Sequence, residues 1–175
     1  MWGIVGKYLL LQSHIIIMYM IRFLGNIEAR ADSKGRIFIP VAFRKQLQAA
    51  SEERLIIHKD VFQDCLTLYP ESVWNEELNE LRSRLNKWNS KHQLLFRQFV
   101  RDVEIVTPDS NGRILIPKRY LQICKIAGDI RFIGIDNKIE IWAKEKAEQP
   151  FMSPEEFGQA LQEIMNDENK RDGEK

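Results

Sequence analysis

A nine-residue motif occurs twice in this chain, and it constrains the fold more than any other feature. Residues 32–40 read DSKGRIFIP and residues 109–117 read DSNGRILIP, identical at seven of nine positions and separated by an offset of 77. The similarity fades but continues downstream, where CLTLYP at 65–70 resembles KIEIWA at 138–143. Repetition of this kind indicates two copies of one structural unit. We therefore predict two related modules, each of about 45–50 residues.

Each copy shows the same order of local signals, which predicts a β-β-α-β-β module. An alternating segment precedes the motif, and such alternation is typical of a half-buried strand. Within the motif, Asp and Ser favour a turn, Gly accepts a positive φ, and β-branched residues follow as a strand. Pro40 or Pro117 then ends that strand and opens a short helix. The predicted strands are Ile27–Ala31, Ile37–Ile39, Leu55–His58 and Leu66–Tyr69 in the first copy, and Val103–Val106, Ile114–Ile116, Ile130–Ile135 and Ile139–Trp142 in the second.

Helical patterns occupy the segments between and after the two modules. Apolar residues recur at helical spacing from Trp74 to Trp88, which predicts one long helix with Ser72 or Asn75 as its cap. A second apolar helix is predicted around residues 94–100. Ser153-Pro154-Glu155-Glu156 has the arrangement of a capping box, which predicts a C-terminal helix. The predicted organisation is module 1 at 24–71, a helical linker at 72–100, module 2 at 101–145, and a C-terminal helix with an acidic tail at 146–175.

The first 24 residues are largely apolar, and two interpretations of them remain open. One is a weak membrane or interfacial segment, although Gln12, Ser13 and His14 interrupt the run. The other is an N-terminal extension at 1–19, encoded upstream of a natural start at Met18 or Met20. We favour the extension because the first module begins only a few residues after Met20.

The near-zero net charge hides a segregation of charge along the chain. The 26 Lys and Arg residues against 25 Asp and Glu residues give a formal net charge of +1, low for a protein that binds nucleic acid. Residues 20–150 nevertheless carry 22 bases and 18 acids, whereas residues 151–175 carry three bases and seven acids. The average therefore combines a basic body with an acidic end, and it does not exclude DNA binding.

Basic side chains cluster around both copies of the motif. Five bases accompany one acid over residues 30–45, and three accompany one acid over residues 109–119. Arg36 and Arg113 each follow the turn glycine, so equivalent turns present both, and arginine suits bidentate recognition of phosphate or guanine. The alternative is an arginine paired with a carboxylate inside its own module. The predicted DNA contacts are Arg36, Arg113, Lys34, Arg30, Arg44, Lys45, Lys118 and Arg119.

No catalytic constellation is recognisable in the sequence. Ser–His–Asp and Cys–His arrangements and phosphate-binding glycine loops are absent, so an enzyme is the least supported class. Asp32 and Asp109 start equivalent turns, and we assign them, with Gly35 and Gly112, a structural role in those turns. The three histidines lack metal-ligand spacing, and the two cysteines are expected to be buried in a reducing compartment. We therefore expect no catalytic residue, metal ion or cofactor.

The two motifs resemble the D-x-x-G-R-[IL]-x-[IL]-P signature of the SpoVT/AbrB-type swapped-hairpin DNA-binding fold. Two such modules in one chain resemble the MraZ family of bacterial transcriptional regulators of the division and cell wall cluster. The resemblance covers about Met20 to Ala147. The flanking segments that agree with it are FLGN at 23–26, IPVAFR at 39–44, CLTLYPESVW at 65–74, RQFVRD at 97–102 and IEIW at 139–142.

The resemblance implies a fold and a function beyond those that the residues alone indicate. The implied fold is α+β, with two tandem SpoVT/AbrB-like modules forming a pseudo-symmetric swapped-hairpin β-barrel, linker helices and a C-terminal helix. The implied function is binding of double-stranded DNA at direct repeats in the promoter of its own operon, usually as a repressor. A ring-like homo-oligomer in the cytoplasm, on the nucleoid, is implied, with no enzymatic activity, cofactor or small-molecule substrate.

Carried over position by position, the family's DNA-facing arginine falls on Arg36 and Arg113, with Lys34 beside the first. Asn111 replaces Lys34 in the second motif, so we expect module 1 to carry more of the binding. Two other classes of function stay open. Swapped-hairpin folds also occur in antitoxins, which act as protein-interaction modules, and a membrane-tethered regulator depends on residues 1–24.

Overall fold

A computed structural model describes residues 21–172, with side chains as far as residue 166. The predicted extension at 1–19 lies outside the described residues. The chain divides into two units, one ending at Lys144 and the other beginning at Glu145. The strands are β1 (Phe23–Arg30), β2 (Arg36–Phe38), β3 (Leu55–Lys59), β4 (Leu66–Pro70), β5 (Glu104–Val106), β6 (Arg113–Leu115), β7 (Asp129–Asp136) and β8 (Lys138–Ala143). The helices are α1 (Val41–Ala49), α2 (Glu71–Arg84), α3 (Ser90–Arg101), α4 (Lys118–Ile123), α5 (Lys144–Ala147) and α6 (Pro154–Asp172).

The mixed α+β architecture is confirmed, and its strands pair across the two sequence repeats. An antiparallel six-stranded sheet has the order β1-β7-β8-β4-β3-β5, and β2 pairs with β6 in a separate ribbon. The first strand of each repeat lies against the third strand of the other, since β1 pairs with β7 and β5 with β3. The repeats meet where β4 pairs with β8, with Thr67 opposite Glu140. Each repeat therefore completes the sheet of the other.

All eight predicted strands are present, and the main difference lies at the start of β1. The alternation predicted a strand from Ile27, whereas β1 begins at Phe23, which pairs with Asp136. Phe23 is fully buried, so this extension of the strand adds an aromatic side chain to the core. Alternation in the sequence marked only the half-buried part of β1, because Leu24, Gly25 and Asn26 are exposed.

The main hydrophobic core takes side chains from the sheet, from the β2–β6 ribbon and from helices α1 and α4. Phe43 of α1 packs edge-on against Phe23 and Phe132, with ring centroids 5.5 and 6.4 Å apart. At α4, Tyr120 and Cys124 occupy the positions equivalent to the apolar face of α1, and both side chains are buried. The predicted apolar face of each short helix is therefore confirmed. Fully burying one such side chain contributes roughly 1.5–3 kcal/mol.

A second, smaller cluster holds helices α2 and α3 against strands β3 and β4. Trp74 of α2 stacks on Phe99 of α3, with parallel rings whose centroids lie 5.4 Å apart. His58 of β3 lies beside both rings, and its Nε2 is 2.9 Å from the carbonyl oxygen of Phe99. Burial lowers the pKa of His58, which keeps the ring neutral at neutral pH. The buried members of the cluster are Ile56, Tyr69, Val73 and Trp74.

The prediction of one long helix from Trp74 to Trp88 is wrong. Helix α2 ends at Arg84, because Leu85 adopts an extended backbone with φ −98° and ψ 137°. Trp88 lies in the connection to α3 and is 84% exposed. A new cap starts the next helix, where the side chain of Asn89 accepts a hydrogen bond from the His92 N–H. Helical spacing in the sequence therefore continues across a break that begins at Leu85 and ends at the cap Asn89.

The predicted cap of α2 is also wrong. The helix begins directly after Pro70, and no side chain caps it within the described chain. Neither Ser72 nor Asn75 lies at the N-cap position, since both are inside the helix. Proline fixes φ near the value that a helix start needs, so β4 runs straight into α2.

The unit that begins at Glu145 contains most of α5 and all of α6. The predicted capping box at the start of α6 is confirmed. The Ser153 hydroxyl accepts from the Glu156 N–H at 3.2 Å, and the Glu156 carboxylate accepts from the Ser153 N–H at 3.0 Å. None of the helices within residues 21–172 combines the length and apolar character needed to cross a membrane.

The two tryptophans of the linker provide a direct test of the second cluster. We expect Trp74→Ala to lower the free energy of unfolding by about 3–5 kcal/mol, because it removes a buried ring stacked on Phe99. We expect Trp88→Ala to change it by less than about 0.5 kcal/mol, because that ring is solvated. Urea denaturation followed by circular dichroism measures both values. Equal losses in the two variants would contradict this packing.

Candidate nucleic-acid interface

The first repeat motif forms a tight turn that is closed by its own aspartate. Asp32 Oδ1 accepts the backbone N–H groups of Lys34 and Arg36, each at 2.9 Å. The Gly35 N–H donates to the Asp32 carbonyl oxygen at 2.9 Å, and Gly35 has φ +84°. A β-carbon at Gly35 would lie 2.7 Å from the carbonyl oxygen of Ile116, so the position requires glycine both for its backbone and for its space.

The same aspartate also holds the arginine that follows the turn. Asp32 Oδ2 accepts from Nε of Arg36 and pairs with its Nη2, each at 2.7 Å. The second turn repeats this arrangement, with Asp109 Oδ1 accepting from the N–H groups of Asn111 and Arg113 and Oδ2 pairing with Nε of Arg113 at 2.8 Å. The intramodule carboxylate partner considered as an alternative is therefore present in both turns. It fixes one edge of each guanidinium group.

The two turns are tied to each other by backbone hydrogen bonds. The Ile39 N–H donates to the Gly112 carbonyl oxygen at 3.0 Å, and the Ile116 N–H donates to the Gly35 carbonyl oxygen at 2.9 Å. Ile39 and Ile116 are equivalent positions in the two motifs, as are Gly35 and Gly112. These reciprocal bonds hold the two turns in a fixed relation on either side of the β2–β6 ribbon.

The β2–β6 ribbon has one buried face and one exposed face. Ile37 and Ile114 lie opposite each other in the register and are buried in the core. The alternate positions point outward, and they are Arg36, Phe38, Arg113 and Leu115. The side chains of the two arginines remain 41% and 30% exposed, and those of Phe38 and Leu115 are more exposed still. The ribbon therefore presents two arginines and two apolar side chains to solvent.

The register places the two arginines as diagonal neighbours on this exposed face. Arg36 lies opposite Leu115, and Arg113 lies opposite Phe38. Diagonal neighbours in an antiparallel pair are about 7–8 Å apart. The guanidinium carbon of Arg113 lies 5.6 Å from the centroid of the Phe38 ring, a cation–π contact. Leu115 occupies the equivalent place beside Arg36, so the two arginines differ in this contact.

The other predicted basic residues fall into two groups. Lys34, Lys45 and Lys118 are exposed, and none of them has an ion-pair partner within residues 21–166. Arg30 pairs with Asp129 at 3.5 Å, and Arg119 pairs with Glu104 at 2.6 Å. The structure therefore places three uncompensated lysines and two compensated arginines near the two motifs in the sequence.

The grouping of Arg44 with the first turn is wrong, because its side chain lies against the second turn. Its Cδ and Nη1 are within 2.6 Å of where a β-carbon on Gly112 would stand, and Nη1 donates to the Asn111 carbonyl oxygen at 3.4 Å. Leu121 takes the equivalent place over Gly35. Helix α1 crosses to the turn of the other repeat, which sequence proximity alone does not indicate.

Phe38 and Leu115 are the residues of this surface that sequence reasoning missed. Each was assigned to an apolar strand, and apolar residues in a strand are usually counted as core. The available signal was the alternation itself, because Arg36 and Phe38 are two positions apart and share one face of a strand. Both Phe38 and Leu115 are 55% exposed.

Hydrogen bonds in the turns lower the pKa of both aspartates. The Arg36 N–H and then its side chain lower the pKa of Asp32 from 3.8 to about 2. The Arg113 N–H is the main cause that lowers the pKa of Asp109. Both carboxylates therefore stay charged at all physiological pH values, and each keeps its arginine oriented.

The order of these causes predicts a graded response in Arg36→Gln. We expect the pKa of Asp32 to rise from about 2 but to stay below 3.8, because the backbone N–H groups at positions 34 and 36 still donate. Carboxyl carbon shifts in an NMR pH titration measure it, and Asp109 is the internal control. An unchanged pKa of Asp32 would show that the side-chain pair contributes nothing.

Comparison with known proteins identifies a family whose model matches the sequence of this chain. A family model described as "MraZ protein, putative antitoxin-like" matches residues 22–97 and again residues 99–170. The two matches each contain one copy of the repeated motif, at residues 32–40 and 109–117.

Individual relatives agree with the family match. The chain is 88% identical over 156 residues to the transcriptional regulator MraZ of Bacteroides thetaiotaomicron, covering 89% of this chain and 100% of that protein. It is 73% identical over 151 residues to the protein of the same name from Bacteroides fragilis, covering 86% of this chain and 96% of that protein. A more distant relative, from Christiangramia forsetii, is 35% identical over 151 residues.

Proposed function

The chain belongs to the MraZ family, and we propose that it is a transcriptional regulator that binds double-stranded DNA through the exposed face of the β2–β6 ribbon. The observation that carries this proposal is the pairing of β2 with β6, which brings Arg36 and Arg113 from the two repeats onto one surface. A two-stranded ribbon fits the major groove of B-form DNA. Two arginines about 7–8 Å apart can then reach base edges along one groove.

The paired aspartates favour this function because they orient the arginines. Asp32 engages Nε and Nη2 of Arg36 through one oxygen, so Nη1 is not held by the aspartate. A guanidinium group fixed on one edge loses less conformational entropy when its other edge binds. The carboxylates themselves lie beside the turn and repel phosphate, so the proposed contact is to a base edge rather than to the backbone.

The exposed lysines supply the complementary contacts to phosphate. Lys34, Lys45 and Lys118 are solvated and carry no ion pair among the described residues, so their charge is available to a polyanion. Neutralising phosphates releases counterions and makes binding dependent on salt. Lys34 has Asn111 as its counterpart in the second turn, so module 1 contributes more to the affinity.

The proposal also includes the detailed fold, location, DNA target and assembly that the family resemblance implies. We propose that module 1 at 24–71 and module 2 at 101–145, joined by the linker at 72–100, form a swapped-hairpin barrel, and the interleaved strand pairing supports this. The protein acts in the cytoplasm on the nucleoid, binds direct repeats ahead of its own operon as a repressor, and has no enzymatic activity. A ring of subunits engages several repeats at once, which raises avidity without new kinds of contact.

DNA binding of arginine variants tests the interface. We expect Arg36→Gln to weaken binding to the duplex upstream of its own gene by at least about tenfold, because one good arginine–base contact contributes about 1–3 kcal/mol in each subunit. We expect a smaller loss for Arg113→Gln, whose guanidinium group also contacts Phe38. Fluorescence anisotropy at one fixed salt concentration measures both affinities.

Arg84→Gln is the matched control for charge. Arg84 lies on α2, pairs with Glu80 and is 74% exposed, so the substitution removes the same charge far from the ribbon in the sequence. Its affinity for the duplex should remain close to that of the parent. Unchanged affinity in the double variant of Arg36 and Arg113 would refute the ribbon as the interface, even if the parent protein binds DNA.

Self-association is tested separately from DNA binding. Helix α3 has no fully buried residue, although Leu94 and Leu95 are apolar and about half exposed or more, which supports a covering subunit. We expect sedimentation velocity at micromolar concentration to give a mass several times that of the 20.6 kDa chain. A sharp monomer boundary would contradict the ring.

An antitoxin-like role is the second candidate, and the description of the matching family favours it. Helix α6 carries exposed apolar side chains at Phe157, Leu161 and Ile164, the kind of stripe that a partner helix or groove accepts. Co-purification with a small toxin, together with no affinity for the upstream duplex, would favour this role over DNA regulation.

A further inference from the structure

A group of three metal-ligating side chains lies beside the seam where the two repeats meet. Asp60 follows β3, Cys65 precedes β4, and Glu140 lies on β8 of the other repeat. Their ligand atoms, two carboxylate oxygens and one sulfur, are all within 4.8 Å of one another. Strand β4 pairs with β8 here, and Glu140 is opposite Thr67. The group therefore exists only because the two repeats share one sheet.

Cys65 is the member that distinguishes this group from an ordinary acidic surface. Its side chain is fully buried, and its thiol has no hydrogen-bond partner within the described part of the chain. A buried thiol beside two carboxylate oxygens is unfavourable as a thiolate unless a cation accompanies it. Sulfur together with oxygen ligands is a donor set that Zn²⁺ accepts.

Neutral donors hold the two carboxylates mainly through one oxygen each, and Asp60 Oδ2 also accepts a long hydrogen bond, at 3.5 Å, from the Thr67 hydroxyl. Asp60 Oδ1 accepts the N–H groups of Phe62 and Gln63 at 2.8 and 2.7 Å. Glu140 Oε2 accepts from Nε1 of Trp142 at 2.7 Å. Neutral N–H donors of this kind orient metal ligands in many proteins, because they fix the carboxylate without neutralising it.

Among the described residues no lysine or arginine reaches ion-pair distance of these two carboxylates, although the charge of Lys138 also acts on Glu140. Lys59 is the nearest candidate in the sequence, but its Nζ donates to the carbonyl oxygens of Asp60 and Gln63 and pairs with Asp64. The lysine therefore stabilises the loop and leaves the carboxylates of Asp60 and Glu140 without an ion pair.

We propose that Asp60, Cys65 and Glu140 bind one Zn²⁺ ion, with water as the fourth ligand. Tetrahedral Zn²⁺ with bonds of about 2.0–2.3 Å separates its ligand atoms by about 3.5 Å. The observed limit of 4.8 Å thus requires a closure of about 1 Å, within reach of two partly exposed carboxylates that rotate about their side-chain bonds. On binding, the Cys65 S–H bond breaks, the proton goes to solvent, and the sulfur bonds to the metal.

The second repeat explains why one chain holds one such site. Alignment of CLTLYP with KIEIWA places Lys138 at the position of Cys65. The ammonium group of Lys138 lies 3.3 Å from a Glu77 carboxylate oxygen and over the Tyr69 ring. In the second repeat a side-chain cation therefore occupies the position equivalent to Cys65, whereas in the first repeat the proposed Zn²⁺ ion would supply that positive charge.

Titration with Co²⁺ tests the proposal, because a cobalt–thiolate bond gives a charge-transfer absorption that carboxylates alone do not give. We expect the metal-stripped full chain to develop this band with one equivalent of Co²⁺ and to lose it when Zn²⁺ is added. Cys65→Ala should abolish the band. Cys124→Ala is the matched control, since Cys124 is also fully buried and lies outside the group, and it should retain the band.

Glu140→Gln keeps the test decisive if Cys65→Ala does not fold. Its side chain is partly exposed and glutamine can still accept the Trp142 hydrogen bond, so we expect a folded protein that binds Co²⁺ at least about tenfold more weakly. No band in the folded parent, or a band that persists in Cys65→Ala or keeps its affinity in Glu140→Gln, would overturn the site. The titration needs no DNA, so failure of the proposed DNA binding would not affect its outcome.

Discussion

Reciprocal strand pairing between the two repeats is the constraint on which the rest of this structure depends. In the described chain, β1 has only β7 as a sheet partner, β5 has only β3, and β2 has only β6. A single repeat would leave these strand edges unpaired, and unpaired backbone groups in a core are costly. The hydrophobic core follows from the same pairing, because it takes Ile37 from one repeat and Ile114 from the other. Neither repeat has a complete sheet or core of its own.

Sequence patterns predicted the individual strands and helices of this fold better than they predicted which strands pair. The motif, its flanking prolines and the alternation of β-branched residues identified all eight strands, since these signals act over a few neighbouring residues. They did not identify which strands pair between the repeats, because pairing of β1 with β7 joins segments about a hundred residues apart, and an exchange of strands was implied only by the family resemblance. The prediction of one helix for the linker was wrong for a local reason. Apolar spacing continued from Trp74 to Trp88, but the cap at Asn89 starts a new helix and leaves Trp88 in solvent.

The candidate interface was also predictable only in part, because the sequence shows signals between neighbouring residues and not contacts between distant ones. The position of Arg36 and Arg113 after equivalent turn glycines indicated two matching side chains, and the register then places both on one face. The surroundings of each arginine were not predictable. Its pairing with Asp32 or Asp109 was an alternative that sequence could not decide, and Arg44 reaches the turn of the opposite repeat. Charge counted along the sequence thus differs from charge placed by the fold.

The two repeats share a backbone pattern but differ where side chains meet across their common axis. On the ribbon and its turns the differences are small. Phe38 of the first repeat corresponds to Leu115 of the second and Lys34 to Asn111, and both turns have the same aspartate and arginine. At the β4–β8 seam they are large, since Thr67 faces Glu140 and a buried thiol corresponds to an ammonium group. A surface that binds a repeated ligand gains from having the same side chains in both repeats. The β4–β8 seam occurs once, so the polar groups buried there need not be the same in the two repeats. Divergence at the seam is therefore compatible with a nearly symmetric candidate interface, and the pairing that joins the repeats supports both.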